Sequence, residues 1–276
     1  VWVFWAGHPV HSEELATPPP QVQVSSSVTS VSTEPHHIDL ISVNNEAFQV
    51  GEELIFDLNY EFITAGQASL KVENGLQVNG RPTISFVSSA KTSDFFDVFF
   101  KVRDYNASQV DEPSLMAVNF HQNLREGDYR VIRNTSFDYP NGIFKFEKLR
   151  KGNLTQRSGV IDRPVLDILS SFYFTRVLPL EPGKEYFMDV FSDEDVVYPL
   201  KVVVDKKIEK IKVPAGNFHC LQVTPYVVGD AIFKARGGKM SIWLTNDARH
   251  MPVLLSSKVF IGSFDAKLVS YKAPNK

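Results

Sequence analysis

The sequence predicts a mostly β domain: a large antiparallel curved sheet, a barrel or a two-sheet architecture, with one main helix over residues 163–177. Three observations predict it. More than ten short segments alternate apolar and polar residues and are separated by turn chemistry, the pattern of half-buried strands. The chain of 276 residues carries 21 Phe, and these recur through the alternating segments, where aromatic side chains suit a pleated, half-buried surface. No Gly-x-Gly-x-x-Gly leads from a strand into a helix and no β-α-β alternation occurs, which argues against a parallel dinucleotide-binding sheet.

The first element follows Phe48-Gln-Val-Gly-Glu52, where Leu54, Phe56, Leu58 and Tyr60 fall at every second position. Ala65-Gly66 breaks the pattern and Ala68-Ser-Leu-Lys-Val72 resumes it, as in a hairpin or bulged bend. Asn79-Gly80 marks the next turn before a strand at residues 83–88. Residues 94–104, the most aromatic stretch, read either as a short helix running into a strand or as one long buried strand. Strands follow at 117–124, 129–139 and 143–149, the last two joined by Asn141-Gly142. Asp162 is placed to cap the helix, Pro164 fits its first turn, and Val165, Leu169, Phe172 and Tyr173 share one helical face. Pro179 and Glu181-Pro-Gly183 end it. Seven further strands are expected at 185–190, 197–204, 208–213, 218–228, 239–245, 253–257 and 264–271.

Ahead of this domain, placed at residues 46–276, lies a segment of different composition. Val1-Trp-Val-Phe-Trp-Ala6 is too short to span a bilayer, which takes roughly 20 apolar residues. It reads as the remnant of a signal peptide or anchor, or as a peptide that docks on an envelope protein partner. Ala16-Thr-Pro-Pro-Pro20 and the Ser/Val/Thr tract behind it have little with which to bury a core, so residues 1–45 read as an apolar peptide plus a disordered tether. His36-His37 reads as an exposed pair in that tether.

Charge and residue chemistry exclude several functions. A net charge of −3 and a pI near 6.2 leave no basic stripe for nucleic acid. The densest basic run, residues 145–151, is interrupted by Glu147. A single cysteine, Cys220, forbids an internal disulfide and a Cys-rich zinc site. On a strand it points away from His219, so it reads as an inert buried thiol. No Gly-x-Ser-x-Gly elbow and no His-Glu-x-x-His occurs, and the domain's His121, His219 and His250 are dispersed; no catalytic residue, metal ligand or cofactor is assigned. Acidic pairs, among them Asp94, Asp97 and Asp104 around the aromatic run and Asp193-Glu-Asp195, keep a glycan-cleaving reading open. The candidate ligand-binding residues are arginines and aromatics in apolar settings: Arg103, Tyr173, Arg176, Trp243 and Arg249. A guanidinium beside aromatic rings grips carboxylates, phosphates or sugars, and equally forms internal salt bridges; Asp167 and Asp104 are the acids expected for Arg176.

Several motifs together resemble the bacterial domain-of-unknown-function family 3108: Phe48-x-Val-Gly-Glu52, Ala65-Gly66 with Ala68, Asp167-Ile-Leu-Ser-Ser-Phe-Tyr-Phe-Thr-Arg176, Val213-Pro-Ala-Gly-Asn-Phe218, Trp243-Leu-Thr-Asn-Asp-Ala-Arg-His-Met-Pro-Val253 and Ile261-Gly262-Ser263. The similarity spans residues 46–273. It implies an exported protein of the periplasm or cell envelope with a mostly antiparallel β fold, and implies no activity. The leading expectation is therefore a non-enzymatic envelope domain that binds an apolar lipid-like or glycan-like ligand. The alternatives are a structural or adaptor subunit held through Val1–Ala6, and a polysaccharide hydrolase or lyase.

Overall fold

The computed structural model describes residues 37–192, 196–227, 240–258 and 263–272. Val1–Ala6, the Pro/Ser/Thr tract, Asp193–Asp195 and Ile261-Gly262 lie outside the described residues. Fourteen strands form one sheet: β1 (Glu53–Tyr60), β2 (Ile63–Asn74), β3 (Thr83–Thr92), β4 (Arg103–Asp111), β5 (Ala117–Glu126), β6 (Tyr129–Asp138), β7 (Ile143–Arg150), β8 (Asn153–Val160), β9 (Glu185–Phe191), β10 (Val197–Val213), β11 (Gly216–Val227), β12 (Met240–Thr245), β13 (Pro252–Lys258) and β14 (Ser263–Lys272). Their order is β8-β7-β6-β5-β4-β3-β2-β1-β14-β13-β12-β11-β10-β9, and every paired neighbour is antiparallel. The chain is thus two meanders joined where its first and last strands pair, Leu54 opposite Tyr271 and Tyr60 opposite Phe264.

The alternating pattern has the expected consequence. Leu54 and Phe56 of β1, Leu70 and Val72 of β2, and Ile84 and Phe86 of β3 are buried on one face, each fully buried side chain of this kind being worth about 1.5–3 kcal/mol. The opposite face is charged and water-facing, with ion pairs Lys71–Glu53 (3.0 Å), Lys201–Glu185 (3.3 Å) and Lys267–Asp265 (3.8 Å). Among the described residues no helix is long and apolar enough to cross a membrane.

The sheet curls around helix α2 (Ile168–Val177) without closing by hydrogen bonds: no ladder joins β8 with β9 among the described residues. Side chains make the seam instead. Phe191 of β9 lies 5.1 Å from the Phe137 ring of β6 and 4.8 Å from Phe144 of β7. A two-residue stitch adds to it: Ala117 N donates to Val165 O (3.0 Å), Leu166 N to Asp189 O (3.0 Å) and Phe191 N to Leu166 O (2.8 Å). The Tyr139 hydroxyl locks the stitch by donating to Ala117 O (2.7 Å). Beyond the seam β8 overhangs, exposed along nearly all its length.

This stitch moves the start of the helix. Residues 163–166 are extended rather than helical, and the cap is Asp167, not Asp162. The Asp167 carboxylate accepts from Leu169 N (2.8 Å) and Ser170 N (2.9 Å), and the Ser170 hydroxyl returns a bond from Asp167 N (2.8 Å). Asp162 instead forms an exposed pair with Arg163 (2.8 Å). The aromatic run resolves into a short helix α1 (Asp94–Asp97) followed by β4, and Phe95, Val98, Phe99 and Phe100 stand in solvent rather than in the core. The two strands expected at 197–204 and 208–213 are one strand, β10, bulged between Val204 and Ile208. Packing begins ahead of residue 46: Ile38 is buried and its N–H donates to Tyr139 O (2.9 Å).

The connections sort to two ends. Turns at 75–82, 112–116, 139–142 and 246–251 lie at the end that α2 enters, while 61–62, 93–102, 127–128 and 151–152 lie at the far end.

Candidate functional site

Helix α2 plugs one half of the lumen. Tyr173 stacks on Phe86 of β3 (3.9 Å, 4° between planes), and Phe48 meets both rings edge-on at 5.3 and 5.1 Å. Arg176, on the same helix, is fully buried. Its guanidinium donates to Glu52 Oε1 (2.7 Å) and Oε2 (2.9 Å), to Ala47 O (3.2 Å) and to Arg249 O (3.3 and 3.2 Å), and lies over the Phe48 and Tyr173 rings. The acid that neutralises it is Glu52, not Asp167 or Asp104. Asp167 is committed to the cap and to the Ser108 hydroxyl.

Of the five candidate ligand-binding residues, the fold brings together Tyr173, Arg176 and the backbone of Arg249, at the C-terminal end of the helix. The Arg249 side chain turns outward onto Asp247 (2.6 Å). Trp243 sits on the outer side of β12, with its indole N–H on Glu209 Oε1 (3.1 Å). Arg103 is at the far end, bidentate on Asp97 (2.9 and 2.6 Å), and with Thr92 it holds that carboxyl down to about 2.

The space left by the helix has two adjoining arms. One is a narrow apolar cleft, with about 30 Å³ of open space, between α2 and β10–β12, lined by Phe172, Leu200, Val202, Val223, Met240 and Ile242. The other, also with about 30 Å³ of open space, is lined by Phe56, Leu70, Ala90, Leu255 and Ala266, with Ser88, Asp104 and Asn106 as a polar wall. Their walls adjoin on the β12–β13 ladder, where Ile242 of the first lies opposite Leu255 of the second.

The polar wall arises because β4 puts Asp104, Asn106 and Ser108 at successive inward positions. Asn106 donates to the Ser88 hydroxyl (3.2 Å) and accepts from Gln122 (3.3 Å). Asp104 Oδ1 accepts from Arg125 N (2.9 Å), its carboxyl interacts with that of Glu126, and its buried Oδ2 has no hydrogen-bond partner among the described residues. Burial and then the Asp104 charge push the Glu126 carboxyl up to about 8, and burial raises Asp104 as well. At neutral pH the two acids therefore hold a proton between them. Buried Arg133 reaches Gln122 (3.5 Å) and the Tyr129 hydroxyl (3.1 Å) beside them.

The sequence marks Asp104 as a flank of the aromatic run and as an acid for Arg176, and gives no sign of Glu126. The available signal was weak: three polar residues at period two on β4 look the same whether they face water or a lumen. Cys220 is buried, its thiol pushed up to about 12 by that burial, and His219 points to the exposed face. Among the described residues no three acids, histidines or cysteines gather as metal ligands.

Similarity to known proteins agrees with the fold. A β-barrel-like protein of the domain of unknown function DUF1849 from Brucella abortus superposes with a TM-score of 0.53 at 12% identity, covering 83% of this chain and 100% of its own. A candidate exported protein with a YmcC-like fold from Bacteroides fragilis covers 85% of this chain and 100% of its own at 10% identity, with a TM-score of only 0.29. A candidate lipoprotein from Parabacteroides distasonis gives 9% identity, the same coverages and a TM-score of 0.28. No curated protein matches the chain in sequence. The family model for the protein of unknown function DUF3108 matches residues 55–269, from the start of β1 into β14 and across the lumen just described, and the chain belongs to that family.

Proposed function

We propose that this is a non-enzymatic domain of the cell envelope that binds an amphiphilic ligand in its lumen, an apolar chain against α2 and a polar head against the wall of β3 and β4. The observation that carries the reading is the pair of adjoining arms with unlike linings, one apolar and one ending on Asp104, Asn106 and Ser88. Ligand sites are typically apolar hollows with a few placed polar groups. The Pro/Ser/Thr-rich tract ahead of the domain fits a tether within the envelope.

The hydrolase alternative is less favoured by the geometry of its best acids. Glycosidic carboxyls stand roughly 5–10 Å apart so that substrate and water fit between them, whereas Asp104 and Glu126 face each other in hydrogen-bonding contact. The adaptor alternative rests on Val1–Ala6, outside the described residues.

The test is titration of delipidated protein with a fluorescent long-chain fatty acid. Saturable binding is expected, lost in Val223→Trp, which fills the apolar arm, and weakened in Asn106→Leu, which strips the polar wall. Absence of binding to the folded wild type, or equal binding by both folded variants, overturns the reading.

A further inference from the structure

The wall of the sheet is charged, but its far end is not built like the wall. Phe62 is 99% exposed, Val98 82%, Phe99 74% and Phe95 70%, with Ile63 and Phe100 also more than half exposed. All six sit on or beside the two neighbouring connections β1–β2 and β3–β4, and the second is tied to the start of β2 where Ser93 N donates to Ala65 O (3.0 Å). The Phe95 and Phe99 rings pack on one another at 5.8 Å, and the Phe100 ring lies beside Gly127 at the next tip, so exposed aromatics run along neighbouring tips of this end. An exposed apolar side chain standing alone needs no explanation; a patch of them marks an interaction site.

Charge around the rim indicates what it meets. Across these tips and those of β5–β6 and β7–β8, Lys91, Lys101, Arg125, Arg130 and Lys151 are exposed, against Glu61, Asp94 and Asp128. Asp97 is neutralised by Arg103, and the Glu61 carboxylate is engaged by Ser263 N (2.8 Å). The sector is therefore locally cationic on a chain whose net charge is −3. Aromatic tips flanked by Lys and Arg match the bilayer interface, where rings enter the headgroup layer and cations meet anionic lipid.

We propose that the far end docks on an anionic phospholipid surface through Phe62, Phe95, Phe99 and their neighbours, with the charged wall remaining in water. The inference stands whether or not the lumen holds a ligand.

The test is co-sedimentation of the full chain with vesicles of phosphatidylethanolamine and phosphatidylglycerol, with circular dichroism as a check on folding. Binding is expected that weakens about tenfold in Phe99→Ser and further in Phe95→Ser/Phe99→Ser, as loss of buried ring area requires, and that falls with added salt. The emission of Phe99→Trp is expected to shift to the blue on vesicle addition. Wild-type protein that does not sediment with the vesicles overturns the proposal. So does vesicle binding with no change in the Phe99→Trp emission. Concentration-dependent self-association that Phe99→Ser abolishes, without vesicle binding, overturns it in favour of a second copy of the chain.

Discussion

Removing the carboxylate of Glu52 strands a cation inside the protein. Arg176 is buried to 1% exposure, and its strongest bonds are the two to Glu52, at 2.7 and 2.9 Å. Its remaining acceptors are backbone carbonyls at 3.2–3.3 Å, which carry no charge to offset it. Breaking one partner of a buried pair costs about 3–5 kcal/mol, whereas replacing both by apolar residues of similar volume is often neutral or better. Glu52→Ala is therefore expected to lose about 4 kcal/mol, or roughly 8–16 °C of Tm for a chain of this size. Glu52→Leu/Arg176→Met should recover most of that loss. Urea unfolding at pH 7, read by near-ultraviolet circular dichroism and Trp fluorescence, measures both. A Glu52→Ala loss under about 1 kcal/mol, or a double variant no more stable than the single one, refutes the reasoning. It would return Arg176 to the set of groups held ready for a ligand.

Three further outcomes are expected. Glu126 binds a proton more tightly in the folded protein, at about 8, than in the unfolded chain, so its stabilisation is complete below its ordinary value and is lost as pH rises through about 8. After screening of this part-exposed group the loss is about 2 kcal/mol; Tm should fall between about pH 5 and 8, and Glu126→Gln should flatten that fall. A Cβ on Gly66 would lie 2.2 Å from Lys91 O and 2.9 Å from Thr92 Cα across the β2–β3 ladder, so Gly66→Ala should destabilise by about 1–3 kcal/mol in chemical unfolding. Asp167→Ala removes the cap of α2 and the acceptor of Ser108 and should cost about 2 kcal/mol by the same measurement.

Most strands with one wet face were legible, because burial on one side of a pleat leaves a period of two, although β4 (Arg103–Asp111) ran beyond the stretch expected at 94–104. β8 was not: with both faces in solvent, Asn153-Leu-Thr-Gln-Arg-Ser-Gly-Val160 has no alternation to read. The start of α2 was misplaced for a different reason. Residues 162–167 carry two aspartates that can cap and a proline suited to a first turn, and only the tertiary pairing of Val165 and Leu166 with β5 and β9 selects Asp167. The exposed Phe95 and Phe99 looked like core, since composition alone does not separate a buried aromatic run from a rim. The partner of Arg176 lies 124 residues away in the chain. The meeting of Asp104 with Glu126 depends on how β4 and β5 pair, and no local pattern encodes either contact.

The most direct test of the lumen as a binding site is native mass spectrometry of the protein isolated from its own source in mild detergent. The account predicts a non-covalent adduct of defined small-molecule mass at one per chain, absent from Val223→Trp prepared in the same way. A bare chain, or a chain carrying only a stoichiometric protein partner, would contradict it.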